Sequence, residues 1–278
     1  MKKSIINKIL FTLIMVILTI PVVIPLVFIV MNSFMSPNEI LLYHGTKHAH
    51  VFHIIPDSFS LQGYYEILVA RSDYLIKFWN SMGITLVIVC GQTIISVLAG
   101  YAFAKFEFPC KNILFFLFII FMMMPYQVTL VSNYIVLDKL NWIGSYLSVV
   151  VPGIFAPFGI FLITQIFKTT SNEIIEAAKI DGASQVVILY KIMVPCNING
   201  IISLFILSFI DNWNMVEQPL IFLKEQSKYP LSIFLAQINE MNMGVSFSCG
   251  ILALLPVTLL FVFFDKELVN GISFSGIK

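Results

Sequence analysis

The chain has 278 residues, of which 59% are hydrophobic and 11% charged, and its formal net charge is +1. A soluble domain of this length carries about twice that charged fraction, so composition alone marks a membrane protein. No basic stripe is available to neutralise phosphates, which excludes a nucleic-acid partner.

The charges segment the sequence. Only six charge-free windows reach the roughly 18 residues a bilayer demands: 9–38, 78–104, 112–137, 140–167, 192–210 and 241–264. They predict six transmembrane helices at about 9–31, 80–104, 112–131, 145–167, 193–211 and 246–264, within one domain over 1–278. The first follows MKKSIINK; its apolar run is longer than a signal h-region and no small-x-small site closes it, so an uncleaved span is expected. The segment 32–78 then carries four histidines, His44, His48, His50 and His53. No carboxylate or cysteine lies among them, so a solvated loop is preferred to a zinc site and no metal is expected.

The second span carries Asn80, Ser81, Thr85, Gln92, Thr93 and Ser96, with Gly91, Ser96, Ala99 and Gly100 suited to close helix packing. Gln127, Thr129, Ser132 and Asn133 follow on the third. Taken singly, such groups read as helix-to-helix hydrogen bonds. As a set they fit a pathway for a neutral solute, with Asn80, Gln127 and Asn133 as candidate contacts. Apart from Asp211 at an outer boundary, the spans hold no charge. Ion-driven carriers and ion channels use charged groups at membrane depth, so both are disfavoured.

Orientation follows from the basic residues. With both termini inside, ten Lys lie on the cytoplasmic side and six Lys or Arg outside, giving net charges of +4 and −3. This places 168–192 inside and the long loops 32–78 and 212–245 outside, for a multi-pass protein of the cell membrane. The four cysteines, Cys90, Cys110, Cys196 and Cys249, are far apart with no CxxC, and read as small core residues.

The chain contains no HExxH, GxSxG or GxGxxG motif. The tail GISFSGIK (271–278) approaches a phosphate loop in glycine spacing. It lacks a lysine directly after the glycine, a following Ser/Thr and a helix, so the chain is not an ATPase. It is expected to be non-catalytic, with any ATP and Mg bound by a partner.

The inner segment 168–192, with the start of the following span, carries EAAKIDGASQVVILYKIMVP (176–195). Thr170-Ser-Asn-Glu173 has capping-box spacing, so a helix should begin near Ser171. Gly182 can break it, Ser184 can cap the next turn, and a second helix carries Val186, Val187, Leu189 and Tyr190 towards Pro195. A helix lying on lipid headgroups would show a basic polar face opposite bulky aromatics. Here acids balance bases and the tip is Ala-Ala-Lys-Ile-Asp-Gly-Ala, which favours docking against a protein.

This stretch resembles the EAA loop of ABC importer permeases: EAA, three residues, G, nine residues, I, any residue, LP. Glu176, Ala177, Ala178, Gly182, Ile192 and Pro195 match, and Val194 replaces the leucine. IDGAS (180–184) is similar to the carbohydrate-importer branch. NSFMSPNEI (32–40), FWNSMGITL (78–86), AGYAFAKFEFP (99–109), MMPYQVTLVSNYIVLDKL (123–140), FGIFLITQIF (158–167) and NGISFSGIK (270–278) resemble the smaller membrane subunit of maltose-type importers.

The resemblance implies an all-α, six-helix type I ABC importer permease fold with a cytoplasmic coupling-helix insert. It also implies a binding-protein-dependent sugar or oligosaccharide importer. Its partners would be a second homologous permease, an ABC ATPase dimer and an extracytoplasmic solute-binding protein. Glu176, Ala177, Ala178, Asp181, Gly182, Ala183 and Ser184 would contact the ATPase, and the tail residues Gly271, Gly276 and Lys278 would reach it. The loop from Asn212-Trp-Asn214 resembles the segment that meets the binding protein. The alternatives are a permease for another solute class, a membrane scaffold recruiting a cytosolic protein, and a self-contained carrier.

Overall fold

The computed structural model describes residues 2–44, 53–70, 73–237 and 244–274. Every regular element among them is helical. We label α1 (Lys2–Asn32), α2 (Pro37–His44), α3 (Asp73–Lys105), α4 (Lys111–Met123), α5 (Tyr126–Lys139), α6 (Leu147–Ile154), α7 (Pro157–Lys168), α8 (Asn172–Ile180), α9 (Gln185–Cys196), α10 (Ile198–Trp213), α11 (Glu217–Phe222), α12 (Leu231–Ala236) and α13 (Ser246–Phe274). Four helical stretches are long and apolar enough to cross a membrane: Leu10–Asn32, Asp73–Lys105, Leu147–Lys168 and Ser246–Val269. Two bent pairs, α4 with α5 and α9 with α10, raise the number to six if each pair is one span.

The bends have local causes. The third charge-free window is interrupted by Pro125, which forces Met124 into an extended conformation (φ −71°, ψ 129°) and turns α5 by 104° from α4. The straight helix therefore stops at Met123 rather than running to 131. Asn197 (φ −119°, ψ 21°) breaks the α9–α10 pair at 78°, so Pro195 lies at the end of α9 and the apolar run starts at Ile198. In α13 the expected end of the span coincides with a kink at Phe264 (φ −125°, ψ 24°).

The chain divides into two compact units, Met1–Ile76 with Phe234–Leu255, and Lys77–Ile233 with Pro256–Lys278. In the first, the apolar side chains of α1 point outward, with Leu18 62% and Val22 67% exposed, as lipid contact requires. Its C-terminal end is tied down by polar groups. The Tyr64 hydroxyl donates to Ser33 Oγ at 2.7 Å, and Ser248 Oγ donates to the Ser33 carbonyl at 3.2 Å. Ser36 and Glu39 form a reciprocal capping box at the start of α2, at 3.3 and 3.4 Å. Glu39 also accepts the Asp57 N–H at 2.6 Å.

The histidine loop is only partly described, since His48 and His50 lie outside the described residues. His44 Nε2 lies 2.6 Å from Asn32 Oδ1, and burial holds its pKa below the usual histidine value. His53 stacks on Tyr43 with ring centroids 3.9 Å apart. Glu39 from α2 and Asp57, four residues after His53, bring carboxylate oxygens within 4.8 Å of a His53 ring nitrogen.

The second unit is assembled by close helix approach. A Cβ on Gly100 of α3 would lie 2.7 Å from Ile163 Cγ2 and 3.1 Å from the Thr164 backbone N on α7. A Cβ on Gly159 of α7 would lie 2.2 Å from Ser96 Oγ, and one on Gly200 of α10 would lie 2.6 Å from Ile166. Apolar side chains gain little by leaving lipid for protein, so helices in a membrane associate through such close packing and through polar contacts. A buried cluster that includes Tyr101, Ile163, Phe167, Ile175, Ile188 and Leu204 then joins α3, α7 and α10 to α8 and α9.

Candidate functional site

Two features of the second unit carry functional chemistry: the insert 168–197, and a cavity between helices. The insert is a pair of short helices whose ends are set by local sequence. Ser171 is the N-cap of α8 and accepts the Glu173 N–H at 3.2 Å. Gly182, at φ +80°, takes the left-handed conformation that ends α8, and the Ala183 N–H returns to the Ala178 carbonyl at 2.9 Å. Ser184 caps α9, accepting from the Val187 N–H at 3.4 Å.

One face of this pair is anchored. Ile175, Ile188, Leu189 and Met193 are all buried in the cluster above, and each contributes about 1.5–3 kcal/mol by leaving water. Lys105 Nζ at the end of α3 donates to the Thr170 carbonyl at 2.6 Å and to Asn172 Oδ1 at 2.9 Å. The Tyr101 hydroxyl donates to Gln185 Oε1 at 2.8 Å. Asn197 Nδ2 donates to Thr170 Oγ1 and to the Met193 carbonyl, closing the base of the insert.

The opposite face is open. Ile180 is 87% exposed, with Ile174, Val186 and Tyr190 also exposed. Glu176, Ala177, Asp181, Gly182 and Ser184 lie on this open side, while Ala178 and Ala183 are half-buried against the core. A Cβ placed on Gly182 would meet nothing within 4 Å. A rigid base under an exposed apolar tip is an arrangement that can transmit a push from a docked partner.

The cavity, of about 700 Å³, is lined by residues of α3, α4, α5, α6, α7, α10 and α11 and the turns between them. Asn133, one of the three candidate contacts read from sequence, lines it together with Gln92, Tyr126, Ser208, Asp211 and Asn212. Asn80 and Gln127 are engaged elsewhere. Asn80 Nδ2 donates to the Ser227 and Tyr229 carbonyls at 2.7 and 3.3 Å, and its Oδ1 accepts from the Tyr146 hydroxyl at 3.1 Å. With Ser81 Oγ accepting the Leu231 N–H at 2.7 Å, it holds the loop before α12 to the N-terminal part of α3. Gln127 donates to both carboxylate oxygens of Glu217, at 2.9 and 3.1 Å.

Ser208 was not singled out from sequence, and Gln92 only as one of a polar set; their common cavity depends on contacts between distant helices. The signal present in the sequence was their polarity within apolar runs. Of the tail residues, Gly271 lies in α13, and Gly276 and Lys278 lie outside the described residues.

Residues 92–273, which include both the insert and the cavity-lining helices, match the binding-protein-dependent transport system inner membrane component family. The chain belongs to that family. The permease is 27% identical over 259 residues to the arabinooligosaccharides transport system permease protein AraQ of Halalkalibacterium halodurans, covering 92% of this chain and 91% of that one. It is 27% identical over 201 residues to the sn-glycerol-3-phosphate transport system permease protein UgpE of Pectobacterium atrosepticum, covering 69% and 70%.

Its fold matches a chain in the crystal structure of a bacterial ABC transporter involved in the import of the acidic polysaccharide alginate. The TM-score is 0.82 at 19% identity, over 96% of this chain and 98% of that one. The permease therefore has the type I ABC importer permease fold, is a multi-pass membrane protein, and is a non-catalytic transport subunit.

Proposed function

We propose that this permease is the membrane-spanning subunit of an ATP-driven importer for a sugar or oligosaccharide. In this reading the insert 168–192 is its EAA loop, lies on the cytoplasmic side, and couples ATPase closure to alternating access. The observation that carries the reading is the insert itself: buried on one face, capped at both helices, and exposing Ile180 beside an unobstructed Gly182. Glu176, Ala177, Ala178, Asp181, Gly182, Ala183 and Ser184 form the ATPase-coupling surface, and the tail with Gly271, Gly276 and Lys278 reaches the same partner. ATP and Mg belong to that ATPase dimer. A second homologous permease and an extracytoplasmic solute-binding protein complete the assembly, whose six spans leave both termini inside.

The solute class rests on the printed function of the AraQ relative, supported by the uncharged polar groups of the membrane helices. Asn133 contacts solute, while Asn80 and Gln127 border the outer end of the path through the loops they hold. A scaffold that merely recruits a cytosolic protein has no use for a 700 Å³ cavity within its membrane helices. Permeases for other solute classes remain the competing reading, favoured by the UgpE match.

Docking is tested by placing a photocrosslinking amino acid at Ile180 in cells that express the chain together with the ATPase of its importer. A single major adduct containing the ATPase is expected. Adducts with lipid alone, at full expression of the ATPase, would contradict the reading.

A further inference from the structure

The sequence places no carboxylate among the four histidines, but the fold brings two from outside the run. Glu39 of α2 and Asp57 each contribute a carboxylate oxygen, and His53 a ring nitrogen, and the three donor atoms lie within 4.8 Å of one another. All three residues belong to the first compact unit. Among the described residues, no other three His, Cys, Asp or Glu side chains converge in this way.

Each donor is held by its neighbours. Glu39 is 8% exposed, and its two carboxylate oxygens accept the Asp57 N–H at 2.6 Å and the Ser36 N–H at 3.4 Å. The Tyr43 hydroxyl donates to Asp57 Oδ2 at 2.7 Å, while Oδ1 of the same carboxylate lies 3.6 Å from His53 Nε2. The His53 ring lies flat on Tyr43, with an interplanar angle of 12°. A carboxylate oxygen has two lone pairs, so these hydrogen bonds leave acceptor capacity on both acids. Supporting contacts of this kind orient the donors of metal sites.

The His53 nitrogen points to a ligand independently of the acids. Nε2 is buried and has no hydrogen-bond partner among the described residues. Asp57 Oδ1, at 3.6 Å, is too distant for a hydrogen bond. A protonated Nε2 needs a closer acceptor and an unprotonated one needs a donor, and the described residues supply neither. No Lys or Arg among them pairs with Glu39 or Asp57. A metal cation accepts the nitrogen lone pair and balances both acids at once.

Imidazole with carboxylates suits zinc, whose tetrahedral ligands at about 2.0–2.2 Å lie about 3.3–3.6 Å from one another. His53 Nε2 and Asp57 Oδ1 already have that spacing. The Glu39 oxygen has at most about 1 Å to close, a movement that its broad terminal torsion provides. We propose that Glu39, His53 and Asp57 form a zinc site, completed by water in the fourth position, that pins segment 53–57 to α2. In the proposed orientation the site faces outside, and its occupancy is independent of what the permease carries.

The test uses the full chain in detergent, purified through a tag without histidine and stripped with EDTA. Titration with Zn²⁺ should show one ion bound through this site, and saturating zinc should raise the midpoint of thermal unfolding by about 5 °C. His53→Gln and Asp57→Asn keep similar size and should each weaken zinc binding by about 100-fold or more. Tyr43→Phe keeps the stacked ring and loses only the hydroxyl on Asp57, so it should weaken binding by about tenfold. This milder variant decides the matter if the other two fail to fold. Ca²⁺, which prefers six to eight oxygen donors, should give no shift at the same concentration. Parent-like zinc binding by every variant that folds would put the ion on other side chains and overturn the proposal. A calcium shift as large as that of zinc, or no zinc binding by the parent, would overturn it equally.

Discussion

Replacing Gly182 with Trp should reduce solute uptake by roughly 30- to 1,000-fold while leaving the permease inserted and folded. Gly182 sits at φ +80°, so any L side chain there is strained by roughly 1–2 kcal/mol. That strain falls on a surface turn rather than on the core. The space around the position is open within the chain, since an added Cβ would meet nothing within 4 Å. The burden of a large side chain would therefore fall on whatever docks against the turn. Truncating or blocking a central contact of a protein interface costs about 2–4 kcal/mol, which corresponds to roughly 30–1,000-fold in affinity. Uptake assays with membrane quantities normalised by immunoblot check the expectation. Normal uptake by a well-inserted Gly182→Trp protein would remove the insert from the coupling path.

A substitution of the same kind at Gly100 should behave in the opposite manner, destroying the fold rather than the coupling. The nearest neighbours of an added Cβ there include Ile163 Cγ2 at 2.7 Å and the Thr164 backbone nitrogen at 3.1 Å. A side-chain tip can move, but the backbone of α7 cannot without disturbing the packed cluster of Ile163, Ile166 and Phe167 beside it. Overpacking of this kind costs about 1–3 kcal/mol and occasionally more, and Leu adds several carbons. Gly100→Leu should therefore yield little monodisperse protein in detergent. Gly83→Leu, on the same helix but with nothing within 4 Å of its Cβ, should be recovered like the parent. Size-exclusion profiles and thermal unfolding of the two variants side by side make the comparison; equal recovery would show that the α3–α7 contact is looser than described.

How legible all this was in the sequence depended on how far apart the interacting residues lie. The caps of the insert at Ser171 and Ser184 and the break at Gly182 were readable because each is a contact within a few residues, governed by local backbone chemistry. The membrane helices were readable because the bilayer forbids charge over some 18 residues or more, and charge is directly visible. The same rule misjudged where they bend. It ignores backbone conformation, so Pro125 and Asn197 passed unnoticed inside windows that otherwise looked continuous.

Partnerships across long stretches of chain were beyond reach. Asn80 pairs with carbonyls 147 and 149 residues away, and Gln127 with a carboxylate 90 residues away, so their polarity suggested a solute where the fold supplies protein partners. The cavity draws Gln92, Asn133 and Ser208 from three different helices, and only their assembly reveals that they line one cavity.

The central claim is that this chain opens a membrane path for solute under the control of a separate ATPase. Proteoliposomes carrying the chain with the proposed partner permease and ATPase, supplied with the solute-binding protein, test it most directly. ATP with Mg on the ATPase side should drive accumulation of labelled sugar against its gradient, and Gly182→Trp should abolish accumulation without changing vesicle incorporation. Equilibration of the sugar across vesicles that contain this chain alone, without ATPase or ATP, would identify a self-contained carrier and contradict the claim.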